Sequence, residues 1–418
     1  MLKYITLFIF LILSSFTLCQ KVRYDDYSLF KILPKNPSDF KVLEELQQND
    51  LRYDFWTSPR AAVDFVSVMA GPKEKDELKN FLSSHGINYE IPVSNIQEAI
   101  DKESVKNYTG RSSSTMSWNS YYGLTDIYVW IDDLASLYPN IVSVIIGGET
   151  YEGRDIKGLR ISHGSGRKGI FIESGIHARE WITVATTCYI INQLLTSNDT
   201  EIQQIARDYD WYIFPVTNPD GYLHTFTRDR MWRKNRRPIN ANAYGVDLNR
   251  NWNNNWLMHG ASLNPSTQTY AGPGPFSEVE SRTLSTYIEE LGNRIELYLS
   301  FHSFSQLLLI PFGNTTEPLA NYNDAVNIGR RAMGALSARY GTMYTTGNIA
   351  EAIYLATGGS VDWVKEVIKV PLVYCYEFRD KGQYGFNLPA DQILPNSEET
   401  MDSIVELIFQ ARRFGYLV

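Results

Sequence analysis

The chain has 418 residues, of which 44% are hydrophobic and 21% are charged, and its formal net charge at pH 7 is −8. This length predicts two folded units of ordinary globular composition behind a processed leader. A general nucleic-acid binder needs a basic surface to release counterions from phosphates, so the acidic balance argues against that class.

The N-terminus has the pattern of a signal peptide. Lys3 is followed by an apolar run over residues 4–16, and small and polar residues then lead to Cys19. Such a run is too short to span a membrane comfortably but is typical of a secretory leader, and a buried strand or helix is the alternative. We therefore predict a signal peptide over residues 1–19, a secreted product and no membrane partner.

Residues 20–111 predict a small α+β domain with no obvious catalytic cluster. Short strand and helix patterns alternate at residues 27–30, 37–48, 61–69 and 74–84. A Ser/Thr/Gly-rich stretch with one basic residue, Arg111, follows, and this composition is typical of a linker and of a protease target. We place the domain boundary at Arg111.

Residues 112–418 predict a larger α/β domain. Apolar runs at residues 170–172, 211–216, 295–301 and 371–376 alternate with helical patterns at 182–195, 277–291, 321–340 and 397–414. This alternation predicts a mixed, largely parallel central sheet flanked by helices. Cys188 and Cys375 both lie in apolar stretches of this domain, so one disulfide and two buried free thiols are both open.

A metal site is indicated by His177 and Glu180, which shortly follow the strand pattern ending at residue 174. Residues three apart at a helix start share a face, so both side chains could bind one ion. The pair is a weak signal alone, but ligands bind at the carboxyl ends of strands in open α/β sheets. His302, at the end of another apolar run, is the natural third ligand, and a core histidine is the alternative.

Further polar residues lie at the ends of predicted elements. Glu377 ends an apolar strand and is either a general base beside a metal-bound water or the ion-pair partner of Arg379. Arg233 and Arg250 lie in basic and polar segments, and a guanidinium can hold a carboxylate through two parallel hydrogen bonds.

Seven motifs in order carry a resemblance that covers nearly all of the chain from Trp118 onward. The motifs are His177-Ala-Arg-Glu-Trp-Ile, Asn218-Pro-Asp-Gly, Arg230-Met-Trp-Arg-Lys, Val246-Asp-Leu-Asn-Arg-Asn-Trp, Phe301-His-Ser-Phe-Ser-Gln, Thr357-Gly-Gly-Ser and Glu377-Phe-Arg-Asp. With these motifs the chain resembles the zinc carboxypeptidases of the pancreatic A/B type, with a matching activation domain before the catalytic one.

The resemblance implies a role for each matching residue. His177, Glu180 and His302 would bind one zinc ion per chain. Glu377 would be the general base and later proton donor, and Arg233 would stabilise the oxyanion. The residues implied in holding the substrate are Asn249, Arg250 and Tyr354 at its terminal carboxylate and Arg179 further along.

Specificity is implied by the position that is acidic in relatives preferring lysine and arginine, which here is Val361. An apolar pocket would leave a basic side chain buried and unpaired, so we expect a preference for aliphatic and aromatic C-terminal residues. Asp362 is expected outside the pocket floor, and Cys375 replaces the usual hydroxyl side chain of the pocket. The other positions matched to pocket walls are Leu309, Gly313, Ile349, Ile353 and Ala356.

The resemblance also implies a partner and a form of control. Residues 20–111 would inhibit the enzyme until a trypsin-like protease cuts at Arg111, or less favourably at Lys106. We expect a monomer that acts on peptide and protein C-termini. Two alternatives are a non-catalytic peptide-binding relative of the same fold and a hormone-processing carboxypeptidase selective for basic residues.

Overall fold

The structure is a computed structural model that describes residues 20–59, 64–108 and 116–418. The predicted signal peptide and Arg111 lie outside the described residues. Ala61, at the start of one predicted strand, also lies outside them, and the strand described there begins at Val66.

The N-terminal domain is a four-stranded sheet with strand order β2-β3-β1-β4, covered by helices. Its first helix begins at Pro37 because Asn36 caps it, accepting hydrogen bonds from the backbone N–H groups of the next turn. The elements are β1 (Ser28–Leu33), α1 (Pro37–Asn49), β2 (Asp54–Phe55), β3 (Val66–Ala70), α2 (Lys75–Ser84), β4 (Asn88–Val93) and α3 (Ile96–Asp101). A short strand β5 (Val105–Lys106) then pairs in parallel with β6 (Tyr121–Tyr122) of the following domain.

The second domain is built on an eight-stranded sheet in the described chain, with the order β15-β14-β16-β13-β9-β10-β8-β7. Its helices are α4 (Leu124–Leu137), α5 (Trp181–Thr196), α6 (Thr200–Asp208), α7 (Pro219–Thr227), α8 (Val279–Leu291), α9 (Tyr322–Tyr340), α10 (Ile349–Ala352), α11 (Ser360–Trp363) and α12 (Ile393–Arg413). Its strands are β7 (Val142–Glu149), β8 (Asp155–Ile161), β9 (Gly169–Ser174), β10 (Asp210–Phe214), β13 (Ile295–Ser303), β14 (Leu307–Ile310), β15 (Thr345–Asn348) and β16 (Leu372–Phe378). A separate hairpin joins β11 (Pro238–Asn240) to β12 (Ala243–Tyr244).

The centre of the large sheet is parallel and its flanks are mixed. Strands β10, β9, β13 and β16 pair in parallel, whereas β7, β8 and β14 enter antiparallel pairings. Residues such as Ile170 and Leu299 point to one core, which includes side chains of α4, α5, α9 and α12. Phe171 and Tyr298 point to a second core, which includes side chains of α8 and α11. The predicted α/β class and the helix-flanked sheet are therefore confirmed.

Cys188 and Cys375 are both buried free thiols, so the disulfide alternative is wrong for this pair. Burial in apolar surroundings raises the pKa of each thiol, which keeps both in the unreactive protonated form. Among the helices of the described chain, none combines the length and the apolar character that a membrane span requires.

Candidate active site

Parallel strand ends bring the polar residues of distant segments together. Strands β13 and β16 run in register, with His302 directly opposite Glu377. Strand β9 lies on the other side of β13 and ends at Ser174, three residues before His177. Because these three strands run the same way, their carboxyl ends form one edge, which is where open α/β sheets bind ligands.

Three of the predicted residues form a metal centre. One possible ligand atom from each of His177, Glu180 and His302 lies within 4.8 Å of the others, and all three side chains are buried. The Nδ1 atoms of the two imidazoles are 3.1 Å apart, and Glu180 places its oxygens 2.8 Å and 3.2 Å from them. Two ring nitrogens and a carboxylate fit the donor set of a catalytic zinc ion.

The expected geometry of the His177–Glu180 pair was wrong in one respect. Helix α5 begins at Trp181, so both side chains precede it and do not share a helix face. A turn joins them instead, because the Glu180 N–H donates to the His177 carbonyl at 3.2 Å. The backbone N–H of Ser303 donates to Glu180 Oε2 at 3.2 Å and fixes the carboxylate from the far side.

Asp247 is a site residue to which the sequence interpretation gave no role. It is fully buried, with Oδ1 3.2 Å from His177 Nε2 and Oδ2 3.0 Å from Arg233 Nη2. Burial alone would raise its pKa, but the Arg233 guanidinium and His177 hold that pKa well below the usual range. The carboxylate therefore orients the histidine that it contacts, as outer-shell partners of metal ligands do. The only sequence signal was its place two residues before Asn249.

Glu377 lies at the metal centre and is not the partner of Arg379. Arg379 instead pairs with Glu399, with Nε donating at 2.7 Å. Burial raises the pKa of Glu377 to about 8, and the nearby charge of Glu180 adds to the rise while His302 opposes it. A cation bound beside it would favour the ionised form and so bring this carboxyl group into the range of a general base.

Three residues form a polar end of the cleft. Asn249 and Arg250 belong to the short turn Leu248–Arg250, which follows Asp247. Arg250 is held by the carbonyl oxygens of Asn249 and Gly260, and its Nη2 donates to the Tyr354 hydroxyl at 2.5 Å. The guanidinium is therefore fixed in orientation, with a hydroxyl group beside it.

An apolar recess opens from the same cavity. Val361 lines it and is 6% exposed. Asp362 was expected outside the pocket floor, but it also lines the cavity, where both of its carboxylate oxygens accept from the Gly313 N–H at 3.0 Å and 2.8 Å. The remaining predicted wall residues all contribute to the lining: Leu309, Gly313, Ile349, Ile353, Ala356 and Cys375.

The N-terminal domain covers this cleft. Trp56, Thr57 and Ser58 line the same cavity as the metal centre. Arg179 is 1% exposed and donates to Asp54 at 3.0 Å, so its guanidinium is occupied by this domain. A second buried ion pair joins the domains nearby, because Arg230 donates to both oxygens of Glu103 at 2.7 Å.

A three-donor metal centre with a carboxyl group opposite one of its histidines has the ligands and the base that a metal-dependent hydrolase requires. Residues 127–403 match the zinc carboxypeptidase family, and residues 30–103 match the carboxypeptidase activation peptide. The chain therefore belongs to the zinc carboxypeptidase family, as the sequence motifs predicted, and it is a metallocarboxypeptidase that carries an activation peptide.

The relatives share the carboxypeptidase name and include both A and B types. The chain is 40% identical to zinc carboxypeptidase A 1 of Anopheles gambiae, over 94% of this chain and 92% of the relative. It is 44% identical to carboxypeptidase B of Astacus astacus, over 69% of this chain and 96% of the relative. The crystal structure of carboxypeptidase A from Helicoverpa armigera superposes with a TM-score of 0.84 at 30% identity, covering 94% of this chain and 99% of that one. Membership of the family therefore does not decide which C-terminal residues this chain prefers.

Proposed function

We propose that the protein is the secreted zymogen of a carboxypeptidase that releases aliphatic and aromatic residues from peptide C-termini. The observation that carries this proposal is one cavity that joins the metal centre, Glu377, Arg250 and the apolar recess closed by Val361. An exopeptidase needs a cation for the free carboxylate, a pocket for the last side chain and a catalytic group beside the scissile bond.

The polar residues divide the chemistry between them. One zinc ion held by His177, Glu180 and His302 would supply a Lewis acid and an acidic water. Glu377 accepts the proton of the attacking water and returns it to the leaving amine. Arg233 donates to the carbonyl oxygen as negative charge develops there, and its ion pair with Asp247 holds it in position.

The substrate is held on both sides of the scissile bond. Asn249, Arg250 and Tyr354 bind the terminal carboxylate, since carbonyl oxygens hold Arg250 through Nε and Nη1 and each Nη atom carries a second N–H group that can donate to the substrate. Arg179 contacts the peptide further along once Asp54 leaves it. This arrangement selects a free chain end, because a continuing peptide has no charge to pair with Arg250.

The recess favours apolar C-terminal side chains. Val361, Leu309 and Ile353 supply apolar surface, so a buried lysine or arginine would lose its hydration without an ion-pair partner from them. Asp362 also lines the cavity, and burial raises its pKa to about 7. Its oxygens face the Gly313 N–H, so we assign it to the support of the wall.

Activation follows from the position of the N-terminal domain. Trp56 and its neighbours occupy the space that a peptide substrate needs, and Asp54 pairs with the Arg179 guanidinium. Cleavage at Arg111 by a trypsin-like protease would separate residues 20–111 from the catalytic domain at 112–418. Secretion rests on the predicted signal peptide at residues 1–19, and we propose a monomeric enzyme.

The direct test is hydrolysis of two blocked dipeptides, one ending in phenylalanine and one in arginine, by the trypsin-treated protein. We expect phenylalanine release at least about tenfold above arginine release, since a charge would be buried unpaired in the second case. A chelator should abolish both activities, and added zinc should restore them. Preferential arginine release would overturn the specificity, and chelator-resistant release would overturn the metal assignment.

A second test concerns the inhibitory contact between Arg230 and Glu103. Glu103→Gln should raise the activity of the uncleaved zymogen about tenfold, because breaking a buried pair leaves the Arg230 charge uncompensated and weakens docking of the domain. Phenylalanine release is measured before and after trypsin, and the two enzymes should be equal after it. Asp76→Asn, which breaks an exposed pair with Lys79, is the matched control and should change nothing. Equal zymogen activities would refute the role of this contact.

A further inference from the structure

Glu173 is a buried acidic residue that the proposed chemistry does not use. It lies on β9, four residues before His177, and is 0% exposed. Its Oε1 accepts from the Ser300 hydroxyl at 2.9 Å and from the Ser360 hydroxyl at 2.5 Å. No ion-pair partner is found for it among the described residues. Burying a carboxyl group costs free energy unless it is hydrogen-bonded, so the two hydroxyl donors stabilise Glu173 at this position.

The first link runs through Ser360 to the polar end of the cleft. Ser360 begins α11, and its backbone N–H donates to Asn249 Oδ1 at 3.1 Å. That bond takes up the amide oxygen of Asn249 and leaves Nδ2, 3.3 Å from His302 Nε2, as the amide donor toward the cavity that Asn249 lines. The orientation of the Asn249 donor therefore depends on where Ser360 is held.

The second link runs across the sheet and reaches only the wall of the pocket. Glu173 lies opposite Ser300 on β13, Ser300 lies opposite Cys375 on β16, and Cys375 lies opposite Leu309 on β14. Cys375 and Leu309 line the recess. The two hydroxyl donors of Glu173 thus lead to different parts of the site, and only Ser360 contacts Asn249.

We propose that Glu173 is a positioning residue that anchors Ser360 and thereby orients Asn249 toward the terminal carboxylate of the substrate. The inference rests on the proposed function, because it assigns Asn249 to that carboxylate. Glu173 itself contacts neither substrate nor metal, so its loss should weaken binding of the carboxylate and leave the chemical step nearly intact.

The variants Ser360→Ala and Glu173→Met test the anchor, and Ser300→Ala is the matched control that removes the other donor to the same oxygen. In the trypsin-treated enzyme we expect Ser360→Ala and Glu173→Met to raise KM for the phenylalanine substrate about tenfold, with kcat within about twofold. Zinc content should stay at one ion per chain. Ser300→Ala should change KM less than about twofold. Ser360→Ala removes one hydroxyl group only, so it gives a result even where Glu173→Met fails to fold.

Two further measurements separate positioning from a general structural role. In an Asn249→Ala background, Ser360→Ala should raise KM no more than about twofold further, because the proposed effect of Ser360 on KM is exerted through Asn249. Calorimetric binding of 3-phenylpropanoate to the trypsin-treated, zinc-loaded protein should weaken about tenfold in Ser360→Ala, and this readout does not require hydrolysis. Additive effects with Asn249→Ala, unchanged binding, or a loss confined to kcat would each overturn the inference. If Ser360→Ala weakened 3-phenylpropanoate binding but the wild-type protein released no phenylalanine, the proposed function would be overturned and the positioning role of Glu173 would stand.

Discussion

Replacing Glu377 with glutamine is expected to lower kcat for the phenylalanine substrate by about a thousandfold while the protein still binds one zinc ion. Glutamine keeps the shape of the side chain but cannot accept the proton of the attacking water. The metal ligands are His177, Glu180 and His302, so the ion does not depend on this position. Metal analysis of the purified variant together with steady-state kinetics after trypsin checks both parts.

The contrast with Glu180 makes the experiment specific. Glu180 is buried and Glu377 is half-buried at the same centre, but Glu180 is tied to both histidines whereas Glu377 forms no such contact in the described structure. Glu180→Gln should therefore lower zinc content and kcat together, and Glu377→Gln should lower kcat alone. A Glu377→Gln enzyme that keeps more than a tenth of the wild-type kcat would rule out this residue as the base.

The centre of the fold was predictable because its strands are buried on both faces. Strands β9, β10, β13 and β16 read as continuous apolar runs, and the long helices between them show a clear helical period. The flanking strands were not predicted. In β7, Val144 and Ile146 are 37% and 42% exposed, and β15 consists of Thr, Gly and Asn, so neither strand has the apolar signature of a core strand.

The site was predictable where one strand end carries one reactive residue, as at His302 and Glu377. It was not predictable where the function depends on a partner far away in sequence. Glu103 and Arg230 are separated by 127 positions, and each reads as an ordinary surface charge until the two domains meet. Asp247 reads as part of a polar turn until the fold places it against His177. Periodicity locates elements, whereas contacts between elements need the three-dimensional structure.

Specificity gives the second large effect, through the variant Val361→Asp. Val361 is buried in an apolar recess, so an aspartate there should lower kcat/KM for the phenylalanine substrate about a hundredfold. The same carboxylate would pair with a lysine or arginine side chain and raise kcat/KM for the arginine substrate by a similar factor. The preference should therefore change by about ten thousandfold, measured as the ratio of the two kcat/KM values.

The neighbouring Asp362 decides how the new charge behaves. It lines the same recess, and burial already raises its pKa to about 7, so a second carboxyl group beside it is disfavoured as an anion until a cation enters. The rise in kcat/KM should then appear with basic substrates only. Val361→Asn has the same shape without the charge, so it should lower kcat/KM for the phenylalanine substrate without raising it for the arginine substrate. If Val361→Asp and Val361→Asn behaved alike, charge at this position would not control specificity, and the pocket floor would have to lie elsewhere along the recess.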